Sequence, residues 1–357
     1  MAAVALQPAL RIPVPGAGSV GIRSAASCRT ARHQSCRSRL APPTAGALSL
    51  AFTTAAIRRS TRRATAREPQ VLPFIEPSTG KEVVLIASVH FNPRSVEKAE
   101  SVTRKLVEQR NLSAVVLETC PTRWKRVEET QTPGSPLRSI LDNEMQAAAD
   151  VANASQIDVV LGDQRIEDLT EDIAAAGRSA LEDLFSPPDG WQRTGSALVS
   201  GLARLANASR RKAQAAATGD VEETQGIGLF DFADPGLILG FVVAVPRYLL
   251  STALKAPALL AGVIAFYLGC AVLPSGILSD LIMLALEAVI LRIILQVLLR
   301  DRDLILAENI KEVCQQDSSG SVVAVLGAAH CNGVRRHLVE GLPEKAEKLV
   351  PETVNAP

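Results

Sequence analysis

The run SVVAVLGAAHCNG at residues 321–333 decides the fold. Val322, Val323, Ala324, Val325 and Leu326 form an uninterrupted apolar stretch, rich in β-branched side chains and of strand length. A strand apolar at every position is covered on both faces, which calls for a sheet packed between helices. The stretch ends at Gly327, and His330, Cys331, Asn332 and Gly333 follow. Ligands of such sheets gather outside the carboxyl ends of the strands, and His330 falls at that edge.

The same pattern occurs early in the chain. Residues 82–92 read EVVLIASVHFN, and laying them over VVAVLGAAHCN pairs apolar with apolar through the strand. Ala87 then meets Gly327, His90 meets His330 and Asn92 meets Asn332. Only His90, His330 and His337 lie beyond the first 67 residues, so two of the three stand at matching strand ends. An imidazole serves near neutral pH as general base or metal ligand. Two at one sheet edge favour a site over the plainer alternative, a pair of histidines that cap loops. His337, inside the following helical stretch beside Arg336, reads as a surface or packing residue.

Between these ends the order is strand, helix, strand. Asn92 is placed to cap a helix opened by Pro93, with Val96, Ala99, Val102 and Leu106 on one face. A strand over 113–117 ends at Glu118, with Cys120 and Arg123 just beyond. An alanine-rich helix covers about 140–154. A further strand over 157–161 ends at Gly162 and Asp163, followed by Arg165. The alternation predicts an α/β fold with a mixed or parallel sheet and two repeated strand–[AG]xxH units. Its strands deliver His90, Glu118, Asp163 and His330 to one edge. Taken singly, Glu118 and Asp163 could equally be helix caps after a strand; the convergence of four polar strand ends favours a site.

Composition excludes several classes. Lysine and arginine number 38 against 37 acids and aromatics are 3%, so neither a basic nucleic-acid footprint nor a base-stacking platform is present. Six cysteines without CxxC spacing imply neither a zinc cluster nor a disulfide framework. Cys120 and Cys331 either line the site or pack as small apolar residues. Residues 1–67 hold eleven arginines and no Asp or Glu, the composition of an organelle transit peptide. The opening MAAVAL and the length favour a chloroplast, with a mitochondrion as the alternative, and place cleavage near 50–67.

The expected organisation is therefore a leader over 1–67 and an α/β domain built from 68–195 and 300–345. Residues 190–228 read as an exposed helix followed by a loose linker, the polar linker being assigned to 196–228, and 229–299 as a hydrophobic helical segment. Residues 256–279 carry no charge over 24 positions, long enough to cross a bilayer. Residues 281–299 are apolar but hold Glu287 and Arg292, while 236–245 is too short to span alone. A transmembrane hairpin of the two longer segments would bring the chain back to one side. The rival is a helical subdomain with its apolar faces packed together. An amphipathic helix with Leu304, Ala307, Ile310, Lys311 and Cys314 then leads to the final strand.

The motifs ASVH at 87–90, LETCPTR at 117–123, GDQR at 162–165, RDR at 300–302 and GAAH at 327–330 together resemble the TraB family. That family belongs to a group with the Wnt-cleaving TIKI proteases, pheromone-shutdown proteins and erythromycin esterase-like enzymes. The likeness spans about 82–340 in the family's order, with Ala87 where the first GxxH has glycine. It implies that His90 and His330 are the central pair, with Glu118 as third metal ligand or general base. Arg123, Asp163, Arg165 and Arg302 would support them. Two imidazoles and a carboxylate can hold a divalent metal ion with an open position; a metal-free histidine base oriented by Glu118 is the other chemistry. The function so implied is a plastid metallohydrolase acting on a peptide or small-molecule substrate. A non-enzymatic peptide- or haem-binding membrane protein, or a regulatory protein with a vestigial site, is the alternative.

Overall fold

Five strands of four to seven residues carry the sheet: β2 (Val71–Ile75), β3 (Glu82–Ser88), β4 (Leu112–Leu117), β5 (Asp158–Leu161) and β6 (Ser321–Gly327). A two-residue segment, β1 (Leu10–Arg11), pairs antiparallel outside β5. This computed structural model describes residues 10–11, 68–218, 226–255, 257–272, 276–316 and 319–342. The rest of the expected leader, with its cleavage region, lies outside the described residues.

The strand order is β1-β5-β4-β6-β3-β2. Strands β3, β6, β4 and β5 run parallel and β2 is antiparallel to β3, so the sheet is mixed and mostly parallel. The last strand is inserted between the first two parallel ones. All four parallel strands therefore end on one edge, and the two repeated units are direct neighbours. Their alignment is shifted by one residue from the sequence overlay: Ser88, not Ala87, stands beside Gly327, and Ala87 stands beside Leu326.

Alternate side chains of these strands feed two cores. Val83, Leu85, Ala87, Val116, Val322, Ala324 and Leu326 pack against Leu306, Ile310, Val334 and Leu338. These last four belong to α10 (Arg302–Cys314) and α11 (Ala328–Glu340). On the other face Val84, Ile86, Val115, Leu117, Val323 and Val325 meet Ala99, Val102, Ala148, Ala149 and Ala152. These come from α1 (Pro93–Glu108) and α4 (Glu144–Ala154). Small side chains on α4 let it lie close to the sheet, and Asn143 caps it through the amides of Met145 and Gln146. Asn92 caps α1 as expected, accepting from the Arg94 amide at 3.0 Å. The helix expected over 140–154 is divided. A short α3 (Pro136–Ile140) precedes α4, and α2 (Pro121–Thr130) follows β4 directly.

Two expectations for the middle of the chain are corrected, and a third is sharpened. The exposed helix expected within 190–228 takes up most of the stretch assigned to the linker. Following α5 (Ile166–Leu184), α6 runs over Asp189–Thr218, because alanine and arginine are strong helix formers. The uncharged stretch 256–279 does not form one helix: α8 (Pro257–Val272) ends before residues outside the described set, and α9 (Ile277–Ile293) begins beyond them. Residues 236–245 instead belong to a longer α7 (Pro235–Lys255), which continues through Pro246.

Among the described residues two helices could cross a membrane by length and composition, α7 and the continuous helical run Ser279–Cys314. Both also touch the α/β domain. Near its start α7 accepts at the Leu237 carbonyl from Asn92, and at its end Arg126 donates to the Lys255 carbonyl. Leu237, Gly240, Ala244 and Ser251 form its buried stripe, while Leu239, Val242 and Leu254 are exposed. The middle of the second run is tied to α5 and α6, where Arg292 donates to Asp183 at 2.6 Å and to Thr194 at 2.9 Å.

Candidate functional site

Gly327 closes β6 and caps α11. His330 therefore lies in the first turn of a helix and not in a loop, whereas His90 stands in the turn between β3 and α1. A Cβ on Gly327 would come within 3.2 Å of both Glu118 Oε2 and His90 Nε2, and within 3.6 Å of His330 Cδ2. Glycine here leaves an open floor around which the two rings and the carboxylate gather. The sheet thus brings together the histidine pair and Glu118, as the sequence led one to expect.

Each ring is fixed from behind by a carboxylate. His90 Nδ1 lies 2.6 Å from Glu144 Oε1. Glu144 also accepts from the Ser88 hydroxyl at 3.2 Å and from the Phe91 amide at 3.2 Å. Phe91 needs a left-handed backbone, φ 61°, to turn that amide inward. His330 Nδ1 lies 2.7 Å from Asp303 Oδ1. The Asp303 carboxylate is seated on the backbone of Gly333, where any Cβ would overlap it. With both Nδ1 atoms engaged, both Nε2 atoms remain for chemistry; that of His330 is 3.4 Å from Glu118 Oε1. Burial alone would lower the pKa of His90, but its bond to Glu144 and that carboxylate's charge raise it to about 9. Burial raises the Glu144 carboxyl, and the bond to His90 outweighs it to leave the pKa below the usual carboxylate range.

Behind Glu118 lies a second layer. Glu118 Oε2 accepts from the Gly327 amide at 2.5 Å, and Oε1 from Arg302 at 2.7 Å. Arg302 donates to both oxygens of Asp163, at 3.1 Å and 2.6 Å, and Arg123 bonds the same carboxylate. Burial would raise the pKa of Asp163, but the charges of Arg123 and Arg302 hold it below its ordinary value. Arg123 also donates to the Cys120 thiol at 3.4 Å. Arg302 opens α10 directly after a π-helical segment, Ile294–Asp301; such segments re-phase a helix and are common at functional sites. Here the consequence is that Arg302 and Asp303, adjacent in sequence, engage Glu118 and His330 respectively.

Arg165 is the one expected site residue that the fold does not bring in. It occupies the N-cap position of α5, half exposed, with Glu167 at 3.7 Å. His337 sits away from the pair, with its Nε2 buried and lacking a hydrogen bond. Cys120 and Cys331 are buried thiols, the latter 3.7 Å from the Gly327 carbonyl. Asn92 and Asn332, matched in the overlay, both clamp the intervening chain: Asn92 through Leu237, Asn332 through both backbone groups of Ile227 at 2.8 Å.

Glu144 and Asp303 escaped the sequence reading. They lie 54 and 27 positions from the histidines they orient, so no local spacing joins them. The available signal was an acid in the first turn of a helix. Among the described residues no group of three or more His, Cys, Asp or Glu side chains stands ready to hold a metal ion. Comparison of the chain with protein-family models and with curated proteins gives no match.

Proposed function

We propose that the chain is a hydrolase whose reacting centre is the space over Gly327, with a peptide as the substrate and a divalent metal ion as cofactor. The observation that carries this reading is the paired arrangement of carboxylate, imidazole and open Nε2. Glu144 orients His90, Asp303 orients His330, and both rings border one floor with Glu118. Carboxylates bonded to the far nitrogen of a histidine fix its tautomer and raise its strength as a ligand. Two imidazoles and a carboxylate also suit a hydrolytic divalent ion, which when bound supplies a water of lowered pKa and polarises a carbonyl. The TraB resemblance agrees with these roles.

The chain's own residues do the rest. Arg302 bridges Glu118 and Asp163, and with Arg123 on Asp163 balances their two charges, so the carboxylates can sit together beneath the floor. Arg123, whose side chain is 34% exposed, can meet negative charge developing on a substrate oxygen. The hydrogen bonds already made by Glu118 favour a second reading without metal. In that reading His90 and His330 exchange protons with substrate, each held by its carboxylate.

The apolar helices support contact with a membrane, and the acid-free leader supports a plastid location. The deciding experiment uses the full chain in mild detergent. Metal content is measured, and hydrolysis of a mixed peptide pool is followed by mass spectrometry for the wild type, for His90→Ala and after EDTA. Activity lost in His90→Ala and by chelation supports the metal reading. Activity lost only in His90→Ala supports the acid–base reading. Turnover unchanged in His90→Ala sinks both.

A further inference from the structure

Close to Arg123 stand two further cations, Lys255 and Arg126, that the reaction just proposed does not use. Lys255 ends α7, and its ammonium lies 5.9 Å from the centre of the Phe91 ring. Phe91 directly follows His90, and Tyr248 of α7 packs edge-on to it with ring centres 6.3 Å apart. The Lys255 carbonyl accepts from Arg126, which stands one helical turn beyond Arg123 on α2. Lys255 is close enough to Arg123, Arg126 and Glu144 for all three charges to act on it. Arg123 is paired with Asp163. Among the described residues no carboxylate forms an ion pair with Lys255 or Arg126.

We propose that Lys255, with Arg123 beside it, is the recognition site for a carboxylate carried by the substrate. This rests on the hydrolase reading and narrows it to acidic peptides or acyl amides. The ammonium and the exposed guanidinium edge supply a point charge and a fork for one carboxylate. The Phe91 ring faces the Lys255 ammonium and ties its position to the residue next to His90. A carboxylate bound there sets the neighbouring amide over the Gly327 floor. Because Lys255 is delivered by α7, the apolar helix becomes part of the substrate site. The carboxylate could be a peptide C-terminus or an acidic side chain; the chemistry recognised is the same.

The test is isothermal titration of the full chain with three acetylated tetrapeptides. One is tetra-alanine with a free C-terminus, one is its C-terminal amide, and one is an amide with a single glutamate. A probe bearing a carboxylate is expected to bind at least about tenfold more tightly than the neutral amide. Whichever of the two acidic probes binds better identifies the source. Lys255→Met should weaken that binding about ten- to a hundredfold, the range for a hydrogen bond to a charged group. Lys255→Arg should restore most of it. Far-UV circular dichroism checks each variant's fold, and Lys255→Gln replaces Lys255→Met if that variant fails to fold. Equal binding of the neutral amide, no binding of any probe, or full binding by Lys255→Met overturns the proposal. Carboxylate binding that depends on Lys255 without any peptide hydrolysis would keep this inference and remove the hydrolase. Hydrolysis of neutral peptides, indifferent to Lys255→Met, would do the reverse.

Discussion

Gly327→Ala tests the floor of the site while sparing the sheet. The backbone at Gly327, φ −57° and ψ 140°, admits an L-residue without strain. The new methyl would lie 3.2 Å from His90 Nε2 and Glu118 Oε2, and 3.6 Å from His330 Cδ2. The first two separations are a few tenths of an ångström inside ordinary contact, so both polar ends must give way. Overpacking of this kind costs about 1–3 kcal/mol. Loss of glycine freedom in the unfolded chain returns about 0.4–1 kcal/mol. The net destabilisation is then about 1 kcal/mol, a shift of a few degrees in thermal midpoint for a chain of this size. Function should suffer as well: misplacing reacting groups by about 1 Å costs on the order of a hundredfold, so a shift of a few tenths should cost roughly three- to tenfold. The assay is hydrolysis of the peptide pool beside a circular-dichroism melt of the same preparation. Ala87→Gly is the control: Ala87 is buried in the core away from this floor, so it should lose stability and keep activity. Wild-type turnover in folded Gly327→Ala would show that nothing reacts in that space.

If the histidines act as one unit, His90→Ala, His330→Ala and the double variant should lose similar activity; additive losses would mean separate roles. Each single change also strands a buried carboxylate, Glu144 or Asp303, and should cost about 1–3 kcal/mol, read from denaturant midpoints. Asp163 has a folded pKa depressed by Arg123 and Arg302 despite its burial. Its stabilisation is therefore present above its unfolded value of about 3.9 and lost as pH falls through the lower folded one. Asp163→Asn should flatten the acid limb of the stability curve, and an unaltered limb would contradict the pairing. A fluorescent protein fused behind residues 1–67 should enter chloroplasts, with cytosolic signal counting against the leader. Carbonate extraction of organelle membranes should leave the chain in the pellet, and release would favour helices that pack only on the protein.

The parallel strands were legible because a strand buried on both faces leaves a continuous apolar run, as at Val322 to Leu326. Once strands alternate with helices, their carboxyl ends share an edge, so His90, Glu118, Asp163 and His330 could be placed together before any coordinates. Arg123 and Arg302 followed from the motifs. Arg165 belongs to the same motifs, yet it stands at the start of α5, half exposed and near Glu167. The register was also off by one: β3 stays extended through Ser88, whereas β6 turns into a helix straight after Gly327. That offset explains why alanine is tolerated in the first unit, since Ala87 faces a core and only Gly327 faces the site. In the middle of the chain, 236–245 was read as too short to span alone, whereas the helix runs on through Pro246. The helix tolerates it through tertiary contacts at both ends, which no local pattern reports.

The central position of β6 has a consequence for how the protein is made. Ser88 and Leu326, joined by a hydrogen bond, lie 238 positions apart. Until the last strand emerges, β3 and β4 have no correct neighbour between them, and their open edges are apt to pair wrongly. Closure depends on contacts of very long sequence separation, which form slowly. A chain lacking its final forty residues would therefore lose the middle of the sheet as well as His330. Such a chain would hold His90 already paired with Glu144, while Asp303 would have no imidazole to orient until the tail arrived.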